Sequence, residues 1–479
     1  MDGIVFGFHY LVFFYSLLIT IIYIVLTAVG YYNIHRTKIK YTEKEEKLLN
    51  NLLPAQTLGI SVIAPAYNEE VIIIDNVNSL LSLHYPKFEV IIVNDGSKDS
   101  TLELLIERFE LVKTDYPYMP KVPCRPVKNI FKSTNPKYDK LTVVDKENGG
   151  TKADAMNAGV NVAQYDYFIN TDVDCILNRD TLTKVILPVL DSKVPVIAVG
   201  ATMRMSNGCE VEDGVITRVK PPKGFIPVFQ ETEYLRSYLV AKMGWSFFNA
   251  IPNVSGGFGL FNTQVCINAG GYDPASHAED MDMTLRMVAY MRENGLKYKI
   301  VQIPDSCCWT EGPPNLSVLN RQRTRWGRGL LQIFTTHSRF LFNFRYGRTG
   351  LWVMPYALIF EFLAPIIEAI GFIFLLFLLF TNQVNFNTFW LILLYVYLVG
   401  LVVSLNTIIN DLMVKKIYRT YREYLRLVFF SSLEAFLYHP LIVIFSLRGY
   451  WEYLTQRDFK WGAMTRQGFT RTQTAQAAT

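Results

Sequence analysis

Four clusters of acidic or amide-bearing residues occur in one order along the chain: Asp95 in VIIVNDGS, Asp172 and Asp174 in FINTDVDC, Glu279 and Asp280 in HAEDMDM, and Gln322, Arg325 and Trp326 in RQRTRWGR. Two carboxylates one residue apart in an extended chain point the same way and can face one divalent cation. Mg2+ or Mn2+ prefers such hard oxygens and bridges them to the oxygens of a diphosphate. A carboxylate at the start of a helix, Asp280 in preference to Glu279, can take the proton of an acceptor hydroxyl that will not attack unaided. Gln322, Arg325 and Trp326 stand at i, i+3 and i+4, so one helix face presents an amide, a guanidinium for phosphate and an indole for the apolar side of a sugar. Each cluster also has a plain structural use. Asp95-Gly96-Ser97 reads as a turn, Glu279 and Asp280 as complements to a helix dipole, and the Arg- and Trp-rich segment as a membrane-surface anchor.

These residues need elements to hold them. Ile60 to Ala64 and Phe88 to Val93 are β-branched runs, with helical spacing between Glu70 and Leu83, which makes a strand–helix–strand unit of a parallel sheet. Ligands bind outside the carboxyl ends of such strands, where Tyr67 and Asp95 fall. Lys113 to Lys140 is rich in Pro, Lys and Tyr without a period and reads as an irregular excursion. Leu141 to Asp145 resumes as a strand, Ala153 to Val162 as a helix with Lys152 at its start, and Tyr167 to Thr171 as a strand ending at Asp172. Met283, Met287, Tyr290 and Met291 space a helix from Glu279 to about Glu293.

The chain has 479 residues, half of them hydrophobic, and a formal charge of +5. The basic residues border apolar segments and mark topology; no basic-aromatic module for nucleic acid is present. Six cysteines without C-x-x-C pairing read as reduced thiols facing the cytosol, with Cys307 and Cys308 in a strand. Ile4 to Val29 is long enough to span a bilayer and is followed by His35, Arg36, Lys38 and Lys40, which places the central region on the cytoplasmic side. Neither the basic start nor the cleavage site of a signal peptide is seen. Leu351 to Phe380 and Phe389 to Ile409 are two further spans. Leu427 to Leu447, interrupted by Glu434, His439 and Pro440, either crosses once or turns back at Pro440. Glu361 and Glu368 share a face of the first of these spans and either line a polar path or pair with basic groups of the cytosolic domain.

The ordered set PAYNEE, VNDGS, NGGTKADAMNAG, DVD, VSGGFGLFN, AED and QRTRW resembles the processive membrane glycosyltransferases of family 2, the group of cellulose, chitin, hyaluronan and poly-N-acetylglucosamine synthases, over about Ile60 to Leu330. The resemblance implies an α/β, Rossmann-like GT-A domain with transmembrane helices on both sides, a UDP-sugar donor and an inverting mechanism. By motif matching, Tyr67 and Asp95 contact the uridine with Glu69 in the same nucleotide-binding set, and Lys152 and Asp154 border that pocket. Asp172 and Asp174 bind nucleotide and Mg2+ or Mn2+, and Asp280, beside Glu279, is the base. Gly256 and Gly257 belong to a loop at the acceptor terminus, and Gln322, Arg325 and Trp326 hold diphosphate and acceptor. The Cys-containing loop typical of hyaluronan and chitin synthases is absent, and the wording is nearest to bacterial poly-N-acetylglucosamine-type synthases. The partners so implied are UDP-N-acetylglucosamine or UDP-glucose, a polysaccharide acceptor, membrane lipid and a small membrane partner subunit, in a bacterial inner (plasma) membrane with the catalytic domain cytosolic. The expected divisions are a transmembrane helix over 1–34, the glycosyltransferase domain over 35–330, an interfacial helix over 331–350, a transmembrane region over 351–455 and a polar tail over 456–479. A transferase adding one sugar to a lipid-linked acceptor and a catalytically silent scaffold are the competing readings.

Overall fold

The computed structural model describes residues 2–51, 57–116, 118–212, 214–414 and 416–456; the tail from residue 457 onward lies outside them. Its strands are β1 (Ile60–Ala66), β2 (Phe88–Asn94), β3 (Leu111–Lys113), β4 (Val127–Ser133), β5 (Leu141–Lys146), β6 (Tyr167–Thr171), β7 (Ile176–Leu177), β8 (Val196–Met205), β9 (Glu210–Glu212), β10 (Val215–Arg218), β11 (Phe258–Asn262) and β12 (Lys299–Thr310). Ten of them form one mixed sheet in the order β3-β4-β5-β2-β1-β6-β11-β8-β12-β7, with β9 and β10 a separate hairpin. β5, β2, β1 and β6 run parallel, so their carboxyl ends share one edge. Burial on both faces explains why β1, β2 and β5 read as apolar runs and not as alternation. Apolar clusters cover both faces: one includes Ile63, Phe168, Met283, Met287 and Met291, the other Ile60, Val62, Leu80 and Leu105.

The predicted strands and helices of the central region are present, the first helix as Ile73–Leu81 and the last as Glu279–Glu293. The Lys113–Lys140 excursion is more regular than its composition suggests. β3 and β4 pair antiparallel and β4 joins β5. Within β4 only Ile130 is buried while Lys128 stays exposed, so the period-two pattern is hidden.

The first helix runs unbroken over 50 residues, Asp2–Asn51, so residue 34 is not an element boundary. No Pro interrupts the basic segment, and Lys40 and Lys44 both pair with Asp191 of the domain. Among the described residues three helices are long and apolar enough to cross a membrane, within Val12–Glu45, Thr349–Phe380 and Phe386–Val414. A further pair, Tyr421–Leu437 and His439–Leu454, is bent by 51°. The break falls at Tyr438, with Pro440 in the first turn of the second piece, where its missing N–H costs nothing.

No interfacial helix fills 331–350. The helix Leu316–Thr336 ends where His337 hydrogen-bonds Asp282 at 2.7 Å. Two short 3-10 turns and Gly347, with a positive φ of 56°, then lead into the apolar segment Thr349–Phe380.

Domain and membrane helices are joined by buried ions. Arg204, at the end of β8, pairs with Glu231 at 2.9 Å and with Asp411 of the third membrane helix. The Tyr418 hydroxyl donates to the same Glu231 at 2.7 Å. Glu361 faces Lys242, whereas Glu368 meets His439 at 2.8 Å beside the helix break.

Candidate active site

Tyr67, Asp95 and Asp172 immediately follow β1, β2 and β6, three neighbouring parallel strands, so the topology alone brings them to one edge. The turn after β2 needs a glycine. Gly96 has φ 64°, and a Cβ there would lie 2.8 Å from the Asn148 amide nitrogen. Asn148 in turn donates its side-chain amide to the Asp95 carbonyl at 2.6 Å.

Asp95 receives the Gly149 N–H at 3.0 Å and the Lys146 ammonium at 2.5 Å. Burial pushes its carboxyl above the usual range despite that cation. Lys146, at the end of β5, was not singled out in the sequence. It is fully buried and also pairs with Asp154 at 2.5 Å. Asp154 is therefore held behind the pocket, where it also accepts the Arg125 N–H at 2.9 Å, and it is not part of the cavity wall. The spacing of Lys146 from any motif gave no sign of this.

Lys152 opens the helix Lys152–Val162, which is capped by Thr151. Its ammonium reaches Asp172 and donates to the Gly256 carbonyl at 2.5 Å. Burial opposes its charge, but Asp172 and Glu279 more than offset that, and its pKa is held above the ordinary value. Asp172 and Asp174 do not lie in an extended chain. They sit in a turn closed by the Cys175 N–H to the Asp172 carbonyl at 3.0 Å. One ligand atom each from Asp172, Asp174 and Cys175 nevertheless lies within 4.8 Å of the others. The two carboxylates suit a hard divalent cation, while the buried thiol is the wrong donor for one and lies toward Asp174 at 3.7 Å.

Asp280 is fixed by three donors: Asn253 Nδ2 at 2.9 Å, the Gly256 N–H at 3.1 Å and the Met281 N–H at 2.8 Å. The approach is close: a Cβ on Gly256 would stand 3.2 Å from Glu279 Oε1 and 3.6 Å from the Asp280 Cβ. Burial pushes the Glu279 carboxyl up, with Arg325 opposing from 3.9 Å. Lys242, also missed in the sequence, is buried near Asp280 and Glu361 and lines the cavity. Desolvation lowers its ammonium to about 8 against the pull of those two carboxylates.

Gln322, Arg325 and Trp326 lie on the helix Leu316–Thr336, which crosses the last helix, His439–Leu454, at two glycines. A Cβ on Gly327 would be 2.7 Å from the Ser446 carbonyl oxygen and one on Gly449 2.4 Å from that of Thr324.

Apart from Lys146, Asp154 and Arg125, the charged residues of this site line one cavity of about 1170 Å3. Its wall includes Tyr67, Glu69, Asp95, Lys152, Asp172 and Asp174 at one end. Gly256, Gly257, Glu279 and Asp280 stand between them and Gln322, Arg325 and Trp326. The same wall also includes Glu361, Arg448 and Glu452 of the C-terminal helices. A diphosphate could be neutralised at the first end, a proton removed midway and a sugar stacked at the second.

Two family descriptions match successive parts of the chain: "Glycosyl transferase family 2" over residues 61–117 and 125–240, and "Glycosyl transferase family group 2" over 229–403. The chain is 27% identical over 299 residues to a poly-beta-1,6-N-acetyl-D-glucosamine synthase of Staphylococcus epidermidis, covering 61% of this chain and 60% of that protein. It is 27% identical over 320 residues to the protein of that name from Staphylococcus aureus (strain COL), covering 66% and 64%. The matched part thus spans about three fifths of these curated relatives. Among solved structures, a mannosyltransferase from Pyrobaculum calidifontis in complex with GDP-Man and Mn2+ superposes with a TM-score of 0.47 at 17% identity, covering 90% of this chain and all of the other.

Proposed function

We propose, from the glycosyltransferase family 2 domains that this chain carries, that it is a membrane-bound inverting glycosyltransferase. It transfers sugar from a UDP-sugar, UDP-N-acetylglucosamine foremost, to the growing end of a β-linked polysaccharide. The observation that carries this reading is that one cavity is lined by Asp95, Asp280, Trp326 and the membrane-helix residue Glu361 together. The names of the staphylococcal relatives supply the leading donor and product.

In this reading Tyr67 stacks on the base, and Asp95 accepts from it. Lys152 and Arg325 meet the diphosphate from opposite sides. Asp172 and Asp174 hold Mg2+ or Mn2+, which supplies charge neutralisation to the leaving nucleotide when bound. Asp280, already oriented by Asn253 and Gly256, takes the acceptor hydroxyl proton as that oxygen attacks the anomeric carbon. Trp326 supports the acceptor ring. The cavity's extension to the membrane helices favours an acceptor that leaves along them, with the domain on the cytoplasmic face. The partner subunit stays an expectation drawn from resemblance.

The test is to incubate the purified chain in lipid vesicles with Mn2+ or Mg2+ and labelled UDP-sugars and to size the product. High-molecular-weight polymer from one donor is the expected result. One sugar on a lipid would replace this reading with single addition, and no transfer from any donor would overturn it.

A further inference from the structure

The helix Phe225–Arg236 is buried between the sheet and the membrane helices, yet it carries a run of polar side chains. Several of them have partners from elsewhere in the chain. Gln230 donates to Gln322 Oε1 at 3.1 Å. Glu233 grips Arg323 with both oxygens, at 2.7 and 2.5 Å. Arg236 reaches Glu434 at 2.9 and 2.5 Å and Ser404 at 3.0 Å. The helix thus touches the acceptor-end segment and the membrane helices at once.

The Glu233–Arg323 pair has a third member. Tyr438, the residue at the break of the bent pair, donates its hydroxyl to Glu233 Oε2 at 2.9 Å and lies 2.9 Å from Arg323 Nη2. Its ring stacks on Phe229 of the same helix at 5.2 Å. The Arg323 guanidinium, fixed by these contacts, lies over the Trp326 indole with its central carbon 4.2 Å from the ring centroid. Arg323 is only 4% exposed, while Glu233 and Trp326 both reach the cavity wall. Burial works against the Glu233 charge, but Arg323 more than offsets it and holds that carboxyl below its ordinary range.

We propose that Glu233, Arg323 and Tyr438 are positioning residues that set the Trp326 indole against the acceptor sugar and tie its pose to the break in the C-terminal membrane pair. A planar guanidinium can lie flat on an indole while both of its edges stay bonded, which the ammonium of Lys cannot do. The pose of Trp326 is therefore coupled to a residue more than a hundred positions away at the membrane bend. The acceptor part of this inference rests on the function proposed above.

The test uses the full chain in vesicles. Tyr438→Phe removes one hydroxyl and keeps the ring. It should raise the KM for an acceptor oligosaccharide about tenfold, as expected for losing a hydrogen bond to a charged group. The KM for the UDP-sugar should stay unchanged. Arg323→Lys should do the same, and Tyr438→Phe combined with Trp326→Phe should cost no more than Trp326→Phe alone. Additive costs, or an effect on donor KM, would overturn the proposal.

A readout independent of transfer separates this from the assigned function. With 5-fluorotryptophan incorporated, Trp326→Phe identifies the Trp326 signal in the 19F spectrum, and Tyr438→Phe should shift that signal. An unmoved signal would overturn the coupling even in an active enzyme. A shifted signal in a chain without transfer activity would support the coupling while overturning the function.

Discussion

The two ends of the cavity are built by different means. At the nucleotide end, Tyr67, Asp95 and Asp172 ride on adjacent parallel strands, and backbone turns decide where they point. At the acceptor end, Gln322, Arg325 and Trp326 ride on one helix whose position depends on other helices, through Gly327 and Gly449 and through Glu233 and Tyr438. A sheet edge is local and rigid. A helix-built wall inherits its geometry from distant packing, and so it is the end that the membrane region can influence.

Four changes test that division, from the largest expected effect downward. Asp280→Asn, at the junction, should cut transfer by about 10^2 to 10^4 while UDP binding by calorimetry persists; full activity would remove Asp280 from its role. Lys146→Met should strike only the nucleotide end. It leaves Asp95 and Asp154 buried without their shared cation, a loss of about 3–5 kcal/mol. Thermal denaturation with and without UDP reads this, and an unchanged midpoint would show that the buried ammonium is dispensable.

Lys242→Met probes the middle through pH. The ammonium is lowered from its ordinary 10.5 to about 8, so between those values the unfolded chain binds the extra proton. The penalty is complete below pH 8 and disappears as the pH climbs toward 10.5. The substitution should stabilise the protein at pH 7 by on the order of 3 kcal/mol, and the gain should vanish near pH 10.5. A gain independent of pH would point to packing and not to charge. Gly449→Ala, smallest of the four, should cost about 1–3 kcal/mol through its clash with Thr324. It should weaken acceptor use with UDP affinity intact; equal loss of both would erase the distinction between the two ends.

The same division explains what could be read beforehand. β1, β2, β6 and the helix Glu279–Glu293 announce themselves by β-branched runs or by methionines at helical spacing, and the residues that follow them are where the strands end. The Asp172–Asp174 pair was legible as a pair but not as a turn, because a hydrogen bond from Cys175 is invisible in a three-residue pattern. Lys146, Lys242 and Arg204 were not legible as buried charges. Nothing in a lysine's neighbours along the chain reveals that two carboxylates will close over it from other elements. The interfacial helix over 331–350 failed for a related reason: its apolar and basic residues fit a helix, but His337 is drawn to Asp282 and Gly347 takes a positive φ.

The long first helix has a mechanical consequence. Fifty residues amount to about 75 Å of rod, more than twice the roughly 30 Å of hydrocarbon in a bilayer. The surplus is a rigid shaft, and Lys40 and Lys44 lash it to Asp191 on the flank of the domain. A domain braced in this way is held at a set distance from the apolar stretch of that helix, as stays hold a mast.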